Sequence, residues 1–268
     1  FAGNIGMGGT LSVTGDLNVD SNTLFVDASE NKVGVGGETS LLGTLHVRSS
    51  DASITSVSSN TDDLIIENNG NTGISIASST SGTGSISFID SGDTNIGRIQ
   101  YNHSTNSLNF RANDLSAMTI DSTGAVTMPN QPAFLAQPAS QQANIGEGSE
   151  IDIAFGTERF DQNGDFASSV FTAPVTGKYF LSYSLWISNI DSVPSYFETY
   201  LTTSNRQYLH TFDPRGLAQD AGSRTINNAL VADMDAGDTA KIQILIQSSG
   251  TVQSDVENYS FFSGYLVA

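Results

Sequence analysis

At 268 residues, with a formal net charge of −18 and no cysteine, the chain has room for two ordinary domains and must be stabilised by packing and assembly, since disulfides and thiolate metal sites are unavailable. Residues 1–128 hold four basic and thirteen acidic side chains, a balance of −9 that leaves −9 for the remainder; acidity spread this evenly, with no basic stripe, argues against nucleic-acid binding, whose phosphate contacts need clustered Lys or Arg. No stretch approaches the roughly 18 to 20 apolar residues of a spanning helix, so no membrane insertion is expected.

The chain opens on Phe1, and residues 1–9 carry neither a basic start nor an apolar run of signal-peptide length, which predicts a boundary within a longer polypeptide. Before residue 129 the sequence is rich in Gly, Ser, Thr, Asn and Asp, and its short apolar runs alternate with polar residues. Leu11, Val13, Leu17 and Val19 around Gly15-Asp16 predict two short strands joined by a turn. Further strands are expected at Leu24 to Val26, Leu45 to Val47, Leu64 to Ile66, Ile74 to Ile76, Ile86 to Ile89, Ile99 to Tyr101 and Leu108 to Phe110. Repetition is weak: Gly9-Thr10-Leu11-Ser12-Val13 returns as Gly43-Thr44-Leu45-His46-Val47, and Val26-Asp27 to Val33 is echoed by Ile120-Asp121 to Val126. Strands this short are marginal alone, and their edges invite pairing. Three chains wound about one axis would satisfy them, with the apolar alternate residues facing that axis. Three copies would carry −54, a self-repulsion that suits a saline setting where the Debye length is about 8 Å or less.

Pro129, Pro132 and Pro138 mark a boundary, predicting a repetitive β-structured fibre shaft over residues 1–129 and a head over 130–268. Seven of the eight tyrosines, the one tryptophan and nine of the fourteen phenylalanines lie beyond residue 150, so a dense core belongs to the second part. There, Ile151 to Phe155, Val170 to Thr172, Lys178 to Ile187, Phe197 to Thr202, Gln207 to Phe212, Thr225 to Val231, Ala240 to Gln247 and Asn258 to Val267 read as strands of an antiparallel sandwich. Tyr179, Leu181, Tyr183 and Leu185 face inward and Trp186 outward.

Four stretches carry a resemblance. Pro132-Ala133-Phe134-Leu135-Ala136, Phe160-Asp161-Gln162-Asn163-Gly164-Asp165-Phe166 followed by Phe171 to Phe180, Leu230 to Gly237-Asp238, and Phe262-Ser263-Gly264-Tyr265-Leu266 resemble, in order, the globular head of complement C1q, which shares its jelly roll with tumour necrosis factor. Residues 189–224 show no motif of that family. The resemblance implies a homotrimer with both head termini at its base. Gly97 to Ser104 and Met118 to Gly124 resemble the repetitive segments of phage tail fibres. The expected fold is all-β: an intertwined trimeric β shaft followed by an antiparallel, C1q/TNF-like jelly-roll head.

The chemistry points to binding and not to an enzyme. His46, His103 and His210 lack metal-ligand spacing, no Gly-x-Ser-x-Gly elbow occurs, and Gly34-Val35-Gly36-Gly37 reads as turns and not a phosphate loop. Asp62-Asp63 and Asp233 with Asp235 lie in single loops that face water, which argues against a glycosidase pair. No metal and no cofactor are expected. Alternating strand direction puts the Gly237-Asp238 turn at the base and predicts that Asn189 to Tyr196, Asp213 to Arg224 and Ser248 to Glu257 are apical loops. They supply the candidate receptor-binding residues Asn189, Asp191, Tyr196, Asp213, Arg215, Asp220, Arg224 and Asp255. The expected function is the distal part of a phage tail fibre on the virion, binding a host surface glycan or outer-membrane protein, with other virion tail proteins as partners on its N-terminal side. The alternatives are a capsid or collar fibre whose head chiefly drives trimerisation, a bacterial surface adhesin, and a depolymerase.

Overall fold

The computed structural model describes residues 12–20, 23–37, 39–248 and 252–268. It divides into two compact units, residues 1–77 and residues 78–268. Both are built of strands and turns, and the described residues contain no helix beyond a single 3-10 turn at Pro214–Gly216.

In the first unit β1 (Leu17–Val19), β2 (Leu24–Asp27), β3 (Lys32–Val35), β4 (Leu45–Arg48) and β5 (Leu64–Glu67) form one sheet in that order. Pairing is antiparallel from β1 to β3 and parallel from β3 to β5. The turn expected at Gly15-Asp16 does not join two strands. Leu17–Val19 pairs forward with Leu24–Val26, and Asp16 Oδ1 accepts the Ala28 N–H at 2.9 Å, tying β1 to the far end of β2; Leu11 and the Gly9-Thr10 portion of the repeat lie outside the described residues. The strand expected at Ile74 to Ile76 is also absent. After β5 the Asn68 side chain donates to Asn71 O at 2.8 Å and turns the chain away, so both isoleucines stay exposed without a ladder. Gly36 has φ +90°, and a Cβ there would lie 1.9 Å from Arg48 O, so the glycines serve a turn and a close backbone approach.

In the second unit β6 (Thr83–Phe88), β7 (Gly97–Asn102), β8 (Ser107–Ala112), β9 (Leu115–Ile120) and β10 (Val126–Thr127) form an antiparallel meander. Its register aligns residues of one kind across strands: Ile86 stands opposite Ile99 and Ile99 opposite Phe110, while Ser85, Gln100 and Asn109 share the other face. The repeated apolar-Asp pattern acquires a physical meaning here. Asp27 Oδ1 accepts from Ser29 N and Oγ and from Glu30 N, and Asp121 Oδ1 accepts from Thr123 N and Oγ1 and from Ala125 N. Each carboxylate closes a hairpin by acting as the acceptor for its own turn.

Beyond this meander lie β11 (Ala133–Gln137), β12 (Gln142–Gly146), β13 (Ile151–Asp152), β14 (Thr157–Asp161), β15 (Phe166–Ala167), β16 (Val170–Thr172), β17 (Gly177–Ile190), β18 (Tyr196–Thr203), β19 (Gln207–Phe212), β20 (Ala221–Met234), β21 (Thr239–Gln247), β22 (Gln253–Val256) and β23 (Phe261–Leu266). They make two antiparallel sheets, one running β12-β22-β17-β23-β11-β14 with β20 on the other edge of β17, the second running β15-β16-β21-β18-β19 with β13 beside β21. This is a jelly-roll sandwich. The inward residues Tyr179, Leu181, Tyr183 and Leu185 of β17 are fully buried, while Trp186 faces outward. Phe134 stacks on Phe166 and Phe171 at centroid distances of 4.9 and 4.8 Å and meets Phe262 edge-on at 4.9 Å, which knits the two sheets. The Tyr183 hydroxyl bonds Thr199 Oγ1 at 2.7 Å across the core.

Gly264 permits this aromatic packing, because a Cβ there would come within 2.6 Å of Leu181 Cδ2 and 2.8 Å of Phe134 Cε1. Gly264→Ala should therefore overpack the core and destabilise the protein by about 1–3 kcal/mol. Denaturant titration of the full chain measures the loss.

Candidate functional site

The long strands β17 and β20 set the two ends of the sandwich apart by roughly 45 Å at about 3.3 Å per residue. At one end Leu266 N bonds Pro132 O, Lys178 N bonds Ala268 O, and Ala236 N bonds Thr176 Oγ1. Residues 132 and 268 and the 235–238 turn thus share the base, as strand parity requires. At the opposite end Ile190 pairs with Ala221, and Ser195 N bonds Gln247 O.

The apical loops are shorter than strand spacing predicts. β17 runs to Ile190, β18 begins at Tyr196 and β20 begins at Ala221, so Asn189, Tyr196 and Arg224 stand on strands and the connecting loops are 191–195 and 213–220. The expected loop from Ser248 to Glu257 contains β22. Ile187 pairs with Val256 and Ser188 with Asp255, so backbone ladder bonds, and not side-chain pattern, hold this segment in the sheet.

Within this end the predicted residues fall into three groups. Arg215 makes a two-point pair with Asp213, Nε to Oδ1 at 3.0 Å and Nη2 to Oδ2 at 2.8 Å, and its guanidinium lies 5.3 Å from the ring centroid of Tyr196. This brings a planar cation, a carboxylate and an exposed aromatic into one surface cluster. The Asp213 carboxyl is also the N-cap acceptor for Arg215 N at 3.0 Å. Asp220 links the loops, accepting from Ser192 N and Oγ at 2.8 Å each. Arg224 lies over the Phe212 ring at 5.5 Å. Asp255 is placed differently: it is buried, and its oxygens accept from Asn144 N at 2.8 Å, Asn189 Nδ2 at 2.6 Å and Gln141 Nε2 at 3.3 Å. Asn189 itself has φ +51°, so Asp255 and Asn189 together fix the backbone beneath the loops. Asp191 is half-buried in the first loop.

The other titratable candidates are structural. His46 and Glu67, on neighbouring parallel strands of the first unit, are 1 % and 5 % exposed and meet through Nε2 and Oε2 at 2.9 Å. His103 packs edge-on against Tyr101, Asp233 accepts from Arg206, and Asp62 supplies its carbonyl to Thr44 N. Among the described residues no group of three His, Asp or Glu converges to hold a metal ion.

A second surface was not read from the sequence. The outer face of the sheet around β17 carries Leu135, Phe160, Phe180, Val231 and Tyr265, with Phe180 and Tyr265 rings 5.3 Å apart, and higher up Trp186 packs on Tyr259 at 5.5 Å. Leu135, Phe160, Phe180 and Tyr265 line a groove of about 390 Å³. Phe160, Val231 and Tyr265 are each half exposed or more, an apolar strip uncovered within the chain. Its signal was alternation along β17 and β23: Phe180 and Tyr265 are the outward partners of the inward residues that define the core.

The Arg215 and Ser192 contacts hold the Asp213 and Asp220 carboxyls below the ordinary value of 3.8, Asp213 mainly through the Arg215 side chain and Asp220 mainly through Ser192 N–H. A depressed folded pKa gives stability that is present above the ordinary value and lost as pH falls through the depressed one. Carboxyl-carbon titration by NMR should give midpoints below 3.8 for both, with the loop contacts intact at pH 5. Asp255→Ala strips partners from Asn144 N–H and Asn189 Nδ2 and should cost about 1–3 kcal/mol in thermal unfolding.

A family model for the C1q domain matches residues 133–267. Among solved structures, the globular domain of zebrafish complement 1qA protein is similar at 18 % identity, covering 52 % of this chain and 98 % of that one with a TM-score of 0.40. Murine APRIL at pH 8.0 is similar at 9 % identity, covering 52 % of this chain and 100 % of that one with a TM-score of 0.39. No curated protein matches the chain in sequence. The family match takes in half of the chain, from the start of β11 to the end of β23, and the chain belongs to the C1q domain family.

Proposed function

We propose that this chain is the distal part of a homotrimeric phage tail fibre, in which a shaft over residues 1–129 carries a head over residues 130–268 that binds a receptor on the host-cell surface. The observation that carries the reading is the division of labour over the head surface. One side offers an uncovered apolar strip at Phe160, Phe180, Val231 and Tyr265, which suits contact with two further copies. The free end, far from both head termini, offers Tyr196, Asp213 and Arg215 as a polar and aromatic cluster suited to a surface glycan or an outer-membrane protein. The tail-fibre context rests on the resemblance of residues 97–104 and 118–124 to repetitive fibre segments. Placement on the virion outside the cell, with other tail proteins on the N-terminal side, follows from that context.

A binding role fits the chemistry better than catalysis. Asp213 and Asp220 in the loops are engaged by their own neighbours, and Asp233 on β20 by Arg206, so these carboxylates act as positioning groups. Three copies about one axis would present three such clusters, and weak single contacts then add through effective concentration.

Two variants separate assembly from adhesion. Tyr265→Glu places a charge in the apolar strip and should dissociate the trimer to monomers in size-exclusion chromatography. Arg215→Ala, paired with Tyr196→Ala, should leave the trimer intact and lower adsorption of fluorescently labelled protein to host cells at least about tenfold, the equivalent of 1.4 kcal/mol. Unchanged adsorption by the double variant would remove the apical loops from the proposal.

A further inference from the structure

We infer that the meander of residues 83–127 is a single-layer sheet whose apolar face is closed by the same face of two other copies of this chain, making a three-sided prism directly below the head. This rests on the trimer proposed above and names a second surface through which it is held. The register is the first observation. Ile86, Ile99, Phe110, Met118 and Ile120 fall on one face, and that face carries no charged side chain on any of its five strands. Ser85, Ser87, Arg98, Gln100, Asn109 and Arg111 fall on the other.

Burial is the second observation. No hydrophobic side chain of these five strands is buried within the chain, and Ile86, Phe88, Leu115 and Val126 are 49 to 59 % exposed. Four six-residue strands, β6 to β9, spaced about 4.8 Å apart present on the order of 400 Å², with the two-residue β10 at their edge. An uncovered apolar face of that size marks an interface and not a solvated surface.

The occupant follows from charge and continuity. Arg98 and Arg111 stand directly opposite each other on the polar face, so threefold symmetry could not turn that face inward without gathering six guanidinium groups at the axis. The sheet is also tied to the base of the head: Asn130 Nδ2 donates to Ser116 O at 3.1 Å, and Gln162 Nε2 donates to Met128 O at 2.9 Å. Trimer contacts in the head therefore bring three identical apolar faces to one axis. The inner strands β7, β8 and β9 are paired on both sides within their own chain, so what the copies share across this face is side-chain packing.

The chain has no cysteine, so a single introduced thiol reports its own surroundings. Ile99→Cys, at the centre of the apolar face, and Gln100→Cys, one residue away on the polar face, are made in the full-length protein and treated with diamide or with a charged maleimide. The Ile99→Cys protein should form disulfide-linked chain pairs irrespective of dilution and resist the maleimide until denatured. The Gln100→Cys protein should remain unlinked and react at once. Should the protein run as a trimer while both thiols react alike, this inference falls and the head-based trimer stands; should it run as a monomer, both fall. A foreign protein protecting the Ile99→Cys thiol in place of a second chain would also overturn the inference.

Discussion

A β-strand sends its side chains alternately to two faces, and a chain that supplies only one covering layer must leave the second face to something else. That constraint governs this protein. In the head the inner faces of two sheets cover each other around Phe134, Phe171, Tyr183 and Phe262, and the outward residues Phe160, Phe180 and Tyr265 are left over. In the meander of residues 83–127 no second sheet lies over the apolar face among the described residues, and along it Ile86 is exposed while Ile99 and Phe110 are part-buried. Both remainders are apolar and lie in the same unit, and the proposed trimer would cover both about one axis.

Turn chemistry does the positioning. The carboxylates of Asp27 and Asp121 each close a hairpin by accepting three donors from the following turn, and Asn102 Oδ1 does the same for Ser104 with two. These acidic and amide residues are part of why a chain of net charge −18 folds into so many short strands: many of its carboxylates satisfy backbone donors and are not simply solvated. At the free end of the head the same device holds the loops of the proposed recognition surface. Asp220 pins one loop to the other through Ser192, Asp213 caps the 3-10 turn and orients Arg215, and buried Asp255 supports the strand that carries Asn189.

The strands whose residues alternate cleanly were legible from the sequence. Val170–Thr172 and Gln207–Phe212 coincide with expectation to the residue, and β17 follows its Tyr179-Leu181-Tyr183-Leu185 pattern for the full length of the sheet. Gln142–Gly146, Thr157–Asp161 and Gln253–Val256 were not legible, because their side chains do not alternate and their place is fixed by ladder bonds to neighbours far away in sequence. Ile74 and Ile76 show the converse, a period-2 pattern for which the described residues supply no partner strand. Among the site residues, the cluster of Tyr196, Asp213 and Arg215 was reachable from loop composition. The internal role of Asp255 was not, since nothing in the run Gln253-Ser254-Asp255-Val256 signals that Asn144 and Asn189 converge on it.

Everything in this account depends on three copies sharing an axis, and native mass spectrometry of the full chain at low micromolar concentration addresses that most directly. The account predicts one species at three times the 28.2 kDa chain mass, persisting on dilution. A single 28.2 kDa species that unfolds cooperatively, with its apolar strips open to solvent, would contradict it.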